Sequence, residues 1–370
     1  MTTTSIRGAV LHEIGAERPY ALSRPLRVET LELAAPGPTE VLVRIECAGL
    51  CHSDLSVVNG DRARPVPMLL GHEAAGIVEE VGASVPALAV GDRVVMTFLP
   101  RCGECRGCAS GGASPCERGS ASNAAGTLLS GERRLAMGGE PVHHHLGVSG
   151  FATHAVVDHR SVVRVDADVP ADVASLLGCA VLTGGGAVLN AARPEPGSTI
   201  AVVGLGGVGM AAVLVALGLP DVEVVAVDPV PEKRALAERL GARAATADEL
   251  ADATERFACV VEAAGAIPAL EAAVALTAPG GRTVTVGLPH PGARLSLSPT
   301  ALVGEGRSLV GSYLGSAVPS RDIPRYAAMW RAGDLDVGVL VSSRIGLDDV
   351  ASGMDALASG AALRQIVELG

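Results

Sequence analysis

Residues 199–218 read TIAVVGLGGVGMAAVLVALG, and this stretch decides the fold. Ile200 to Val203 is short, apolar and rich in β-branched residues, as a buried strand requires. Gly207 to Leu217 follows as a Gly/Ala-rich run of helical length. Gly204, Gly206 and Gly209 stand at the joint in the pattern GxGxxG. The pattern alone is weak; its place between a strand and a helix makes it specific. The first glycine permits the tight turn, the second lets a pyrophosphate approach the backbone, and the third lets helix and strand pack closely. The helix start then offers free N–H groups and a positive dipole end to the phosphates.

Downstream, Val222 to Val227 reads as the next strand, and Asp228 ends it, 19 residues beyond Gly209. A carboxylate there can hydrogen-bond a ribose hydroxyl and would repel a 2′-phosphate, so NAD is expected over NADP. Lys233, in the following helix turn, could also reach the ribose. Pro231 to Leu240 reads as a helix closed by Gly241, and Ala258 to Glu262, Ala269 to Leu276 and Thr283 to Gly287 repeat the strand, helix, strand order. Such alternation specifies a parallel sheet with right-handed crossovers, an α/β domain. After Ser320 come two more helical stretches and a short strand-like end, Gln365 to Leu369.

The first third of the chain has another rhythm. Val41 to Glu46, Gly76 to Val81 and Asp92 to Thr97 are short apolar or alternating runs separated by Pro and Gly, which predicts a compact all-β unit, barrel or sandwich. From Gly107 to about Gly150 the chain turns to Gly, Ser and Ala, an excursion read as a lobe and a surface loop. The triple histidine His143 to His145 closes it, and on its own reads as solvated.

Eight cysteines carry the remaining chemistry. Cys102, Cys105, Cys108 and Cys116 give C-x2-C-x2-C-x7-C, close enough to surround one tetrahedral zinc in a closed, structural sulfur shell. An iron–sulfur cluster also uses four cysteines, and spacing alone leaves that open. Cys51, His72 and Cys179 are far apart, and each alone would read as a core residue. Together they make a Cys2His set that suits a zinc with an open fourth position. Asp54 and Glu73 stand beside these ligands, where they can orient the imidazole and tune the metal.

The net charge of −11 and pI of about 5.3 disfavour nucleic acid and anionic membranes as partners. That balance also disfavours a zinc-ribbon nucleic-acid module. Hydrophobic residues make up 48% of the 370 positions but aromatics only 2%, so the core must be built of Val, Leu, Ala and Ile. The polar start Met1 to Ser5 and the glycine-broken apolar runs predict neither a signal peptide nor a spanning helix, hence a cytoplasmic protein.

Taken together, these residues resemble the zinc-containing alcohol dehydrogenases of the medium-chain dehydrogenase/reductase superfamily, over essentially the whole chain. The resemblance rests on Cys51-His52-Ser53-Asp54, on Gly71 to Gly76 continuing through Val81-Gly82 to Gly91-Asp92-Arg93-Val94, on the four-cysteine lobe, on Gly178-Cys179, and on Gly204 to Gly209 with Asp228. It implies a GroES-like β catalytic domain, residues 1–180 and 321–370 with the zinc lobe at about 100–118. A Rossmann domain with a doubly wound parallel sheet and bound NAD would occupy residues 181–320. It also implies two zinc ions per chain: a catalytic one on Cys51, His72 and Cys179, and a structural one on the other four cysteines. Cys47 and Cys259 are left as strand and core residues.

By position, Glu73 resembles the acid that assists ligand exchange, and Ser53 the hydroxyl of the proton relay. His52 and Arg364 resemble the basic residues at the cofactor pyrophosphate, and Thr183 a neighbour of the nicotinamide. The relay's usual terminal histidine is replaced by Ser56, so the proton would leave through water or His52. Phe98, His145 and Leu146 resemble pocket walls; His145 could recognise a polar or aromatic substrate group, or point outward with His143 and His144. The implied reaction is hydride transfer between a primary alcohol, or its aldehyde, and NAD. Thiol-linked aldehyde oxidation and polyol oxidation are the alternatives. The glutathione-linked branch carries an arginine where Ser120 stands, which argues against its substrate. The long Cys116–Cys179 segment resembles the branch whose members are homodimers.

Overall fold

Thr3–Leu11, exposed at its start and buried over Gly8 to Leu11, pairs antiparallel with Leu26–Ala34 from Thr3↔Ala34 to Leu11↔Leu26. The computed structural model in which this is seen describes residues 3–360 and 362–370; Met1 and Thr2, part of the polar start, lie outside them. The two strands close a barrel with Leu135–Met137, Glu140–His144 and Met68–Leu69. Ile6, Val10, Leu31, Leu33, Leu135 and Val142 fill one core, each buried side chain contributing about 1.5–3 kcal/mol.

A seven-stranded sheet completes this part of the chain. Its order is Val162–Val165, Arg93–Met96, Ala74–Val81, Glu40–Leu50, Arg364–Glu368 and Val341–Gly346, with His154–Asp158 also paired to Glu40–Leu50. Glu40–Leu50 is the spine: Val41, Val43, Ile45 and Leu50 are fully buried, and its C-terminal end delivers the chain to Cys51. The β unit is therefore a barrel with a second sheet, which alternation alone left open.

The other unit holds six parallel strands in the order Arg243–Ala245, Val222–Val227, Ser198–Val203, Phe257–Glu262, Thr277–Thr285, Ser308–Gly311. Two wings grow from a central strand, the doubly wound order of a Rossmann-like sheet. Cys47 and Cys259 are buried within strands, as expected.

Two expectations need correction. The chain divides at Cys179/Ala180 and Leu340/Val341, so residues 321–340, assigned above to the first domain, belong to the second unit. The cause is the helix Pro319–Ala332: its Tyr326 is fully buried and packs so closely on Gly185 that a β-carbon there would lie 2.8 Å from the ring. Next, residues 135–150 are barrel wall and interior rather than surface loop. Ala171–Ala192 passes a length-and-composition test for crossing a membrane, but 83% of its most apolar window is buried in the protein, as in a core helix.

Candidate active site

The first cluster forms where Glu40–Leu50 ends. Cys51 takes an extended backbone (φ −129°, ψ 152°) and starts the helix His52–Val58; its N–H donates to Asp54 Oδ2 at 3.3 Å. His72 and Glu73 lie in the short segment between Met68–Leu69 and Ala74–Val81. Cys179 arrives on the π-helical stretch Leu177–Val181, a departure from α-helix often found at functional positions. Gly178 makes that approach possible: a β-carbon on it would sit 2.2 Å from the Met96 carbonyl oxygen.

Cys51, His72 and Cys179 are thereby brought together, one donor atom from each lying within 4.8 Å of the others, and Cys179 Sγ is 3.4 Å from His72 Nε2. All three are buried. A hydrogen bond from Cys179 holds the Cys51 thiol well below its usual range, and by donating it Cys179 is itself pushed well up. Burial alone would lower His72; the carboxylate of Asp54 and the Cys51 sulfur outweigh it and raise the imidazole. Two thiols and an imidazole competing for protons in a dry pocket are a donor set a divalent cation can satisfy by displacing those protons.

Asp54 is fully buried and its Oδ1 faces His72 Nδ1 at 3.0 Å, also accepting from Gly71 N–H at 3.3 Å. The imidazole is thus oriented with Nε2 toward the cysteines. Glu73 is fully buried too, and neither carboxylate oxygen accepts an aligned hydrogen bond among the described residues. Burial raises its pKa, opposed by Arg364, whose Nε is 3.4 Å from Glu73 Oε1. Arg364, read above as a cofactor contact, is thus a 2%-exposed neighbour of this cluster, its Nε ion-paired with Glu73 without an aligned hydrogen bond.

Around His72, Phe98 stands edge-on at 5.5 Å between ring centroids and His145 at 5.7 Å. Leu146 is buried beside them in sequence. Of the two readings of His145, the outward one fails: the residue is 1% exposed. His144 is equally buried, accepting from Arg134 N–H at 3.1 Å, so neither is solvated. Ser53 is half-buried and His52 exposed. Ser56, in the relay histidine's place, commits its hydroxyl hydrogen to the His52 carbonyl at 2.7 Å.

The second cluster is local. Cys102, Cys105, Cys108 and Cys116 have donor atoms within 4.8 Å of one another, with Cys102–Cys108 and Cys105–Cys116 sulfurs each 3.9 Å apart. Tetrahedral zinc at about 2.3 Å from each sulfur needs edges of about 3.8 Å, so the fit is close. Backbone N–H groups already point at the sulfurs, among them Cys108 and Glu117 on Cys105, which is lowered to about 6 chiefly by those two donors.

In the other unit, Gly204 has φ +91° and Gly209 packs so tightly that a β-carbon would lie 1.8 Å from the Gly204 carbonyl oxygen. A β-carbon on Gly206 would meet nothing within 4 Å, leaving room for a ligand against the backbone. Asp228 is buried, and its two oxygens accept from Leu205 N–H at 2.7 Å and Val230 N–H at 2.9 Å. It ties the glycine turn to the neighbouring strand, a role the sequence reading missed. Lys233 lies half-buried on the helix Pro231–Arg239, and Thr183 is buried in Leu182–Gly186.

One unit carrying two clusters of metal donors and a second built around a dinucleotide-type glycine turn define an oxidoreductase. Residues 37–167 match the alcohol dehydrogenase GroES-like domain and residues 207–331 the zinc-binding dehydrogenase domain. The chain is 37% identical over 380 aligned positions to alcohol dehydrogenase D, so named, of Mycobacterium tuberculosis, covering 99% of this chain and all of that one. Its fold is similar to an alcohol dehydrogenase zinc-binding domain protein from Burkholderia ambifaria, with TM-score 0.92, 32% identity and 100% of both chains covered. It is also similar to benzyl alcohol dehydrogenase from Acinetobacter calcoaceticus, with TM-score 0.90, 28% identity and coverage of 99% and 100%. The chain belongs to the zinc-type alcohol dehydrogenases of the medium-chain dehydrogenase/reductase superfamily.

Proposed function

We propose that the protein transfers hydride between a primary alcohol and NAD. Cys51, His72 and Cys179 would hold a catalytic zinc and Cys102, Cys105, Cys108 and Cys116 a structural one. The observation that carries this is the convergence of three buried donors from distant parts of the chain. Benzylic alcohols are the first substrates to try, because the similar Acinetobacter protein is a benzyl alcohol dehydrogenase. When bound, zinc supplies the positive charge that eases loss of the hydroxyl proton, and NAD the carbon that receives hydride.

The chain's own residues supply the rest. Asp54 fixes the tautomer and direction of His72, and Ser53 passes the released proton outward, toward His52 and water. Ser56 takes no part, its hydrogen being committed. Glu73, buried beside Arg364, assists ligand exchange. Phe98, His145 and Leu146 wall the substrate pocket and exclude water. Gly204, Gly206 and Gly209 receive the pyrophosphate, Arg364 and His52 balance its charge, Asp228 and Lys233 serve the ribose, and Thr183 adjoins the nicotinamide. The long Cys116–Cys179 segment supports a homodimer. The eight free cysteines and net charge of −11 support a cytoplasmic enzyme of small molecules, with neither nucleic acid nor membrane as partner.

The test is steady-state oxidation of benzyl alcohol with each coenzyme. A kcat/KM at least about tenfold higher with NAD than with NADP is expected from the Asp228 carboxylate facing a 2′-phosphate. Preference for NADP would sink the coenzyme reading, and no oxidation of any primary alcohol would sink the reaction. Gly209→Ala should weaken NADH binding, followed by fluorescence titration, by at least about tenfold, since the added carbon must push the glycine turn apart. Unchanged affinity would remove the turn from the cofactor site.

A further inference from the structure

The six-stranded sheet grows outward from Ser198–Val203: the chain first lays down Val222–Val227 and Arg243–Ala245 on one side, then crosses back to Phe257–Glu262 on the other. Where the two wings part, at the carboxyl ends of the strands, a crevice opens that suits a dinucleotide. Asp228 pins one side of it through Leu205 and Val230 N–H. The other side carries a second acid. Glu262 ends its strand, in register with Val203 on one neighbour and Thr285 on the other, and is 1% exposed.

Val203 and Val227, which end the adjoining strands, are apolar, as burial favours; a carboxyl group in such a place is costly unless donors satisfy it. Both oxygens of Glu262 are met. Oε1 accepts from Gly265 N–H at 2.7 Å and Oε2 from the Thr285 hydroxyl at 2.6 Å, while the Glu262 carbonyl accepts from Val286 N–H at 2.9 Å. One side chain thus ties residues 263–265 to the end of Thr277–Thr285.

Those residues wall the crevice. A β-carbon on Gly204 would lie 2.6 Å from the Ala264 nitrogen, and Ala263 N–H donates to the Val203 carbonyl at 2.8 Å, so the connection lies directly against the glycine turn. Gly265 turns with φ +69°, and Gly287 comes so near that a β-carbon on it would stand 2.3 Å from the Gly265 nitrogen.

We propose that Glu262 is a positioning residue for the dinucleotide: it holds residues 263–265 against the glycine turn before the cofactor arrives. This rests on the reading of the glycine turn as an NAD site. A wall fixed beforehand adds affinity, because its ordering is not taken from the contacts made on binding. Removing the carboxyl group should therefore weaken cofactor binding and spare the turnover of the loaded enzyme.

NADH and NADPH are to be titrated by fluorescence into wild type, Glu262→Ala, Glu262→Gln, Thr285→Val and Thr277→Val, with melting temperature, kcat and the KM for NAD measured alongside. Thr277 is the control: its buried hydroxyl donates to the Ala273 carbonyl at 2.8 Å, at the opposite end of the strand that Thr285 closes. Its loss costs stability without touching the crevice. Glu262→Ala should weaken the tighter coenzyme at least about tenfold and raise the KM for NAD by a similar factor, with kcat within about threefold of wild type. Glu262→Gln, which keeps an acceptor for Gly265 and a partner for Thr285, should bind within about threefold of wild type. Thr285→Val, which removes one of the two bonds, should weaken binding about threefold, and it decides if the alanine variant does not fold. Wild-type affinity in Glu262→Ala, or equal weakening in Thr277→Val, overturns the role of Glu262 and leaves the cofactor reading standing. A wild-type protein that binds neither coenzyme removes the glycine turn from cofactor binding, and this proposal with it.

Discussion

Replacing Cys179 with alanine should lower kcat/KM for benzyl alcohol at least about a thousandfold while the chain stays folded. The size follows from what is removed. With its sulfur gone, Cys51 and His72 remain as two donors of the set, too few to fix a four-coordinate cation against water. The positive charge that eases proton loss is worth several kcal/mol of barrier, and each 1.36 kcal/mol is a factor of ten. The fold should survive because alanine suits a helix and one deleted sulfur leaves a small cavity, costing about 1 kcal/mol. Metal analysis should fall from about two zinc ions per chain to about one, and the melting temperature should move by only a few degrees. A fully active variant would take Cys179 out of the site.

That experiment bears on the least local part of the structure, and locality decides what the sequence could reveal. Gly207 to Leu217 and Val222 to Val227 were readable to the residue, because a buried parallel strand, a glycine turn and a Gly/Ala helix each leave their mark within a dozen positions. The four-cysteine lobe was readable for the same reason. The Cys51, His72 and Cys179 set was not derivable from spacing, since its members come from a strand end, a short segment between strands and a π-helical stretch; resemblance to a family brought them together. Barrel closure depends on Met68–Leu69 lying parallel to Glu140–His144 over two residue pairs, too short a contact to pattern either segment. His143 to His145 looked solvated because histidine is polar, and nothing nearby in the sequence announces Asp54 or Arg134 as their partners. Residues 321–340 were misassigned because an amphipathic helix does not say which unit it covers; Tyr326 against Gly185 does.

Cys116→Ala should have the opposite signature: much stability lost and little chemistry. Cys116 is fully buried, starts the helix Glu117–Ala125, and its sulfur accepts from Cys102 and Gly119 N–H, each at 3.3 Å. Between Arg101 and Cys116 no large apolar residue is available to hold the lobe, so on the proposed assignment the metal replaces a core. Structural zinc contributes roughly 10–16 kcal/mol in zinc-finger peptides, and losing it through one missing thiolate should cost this unit at least about 4 kcal/mol. For a unit of this size that corresponds to a fall in melting temperature of about 10 °C or more. The zinc content should drop by about one per chain, as in Cys179→Ala, but the fraction that remains folded should oxidise benzyl alcohol with kcat within about threefold of wild type, since Cys51, His72 and Cys179 are untouched. The two variants thus share a metal count and differ in everything else. A Cys116→Ala protein that melts like wild type would mean the lobe is held by its own backbone contacts rather than by an ion, and a stable one that has lost turnover would place this cluster in the chemistry instead.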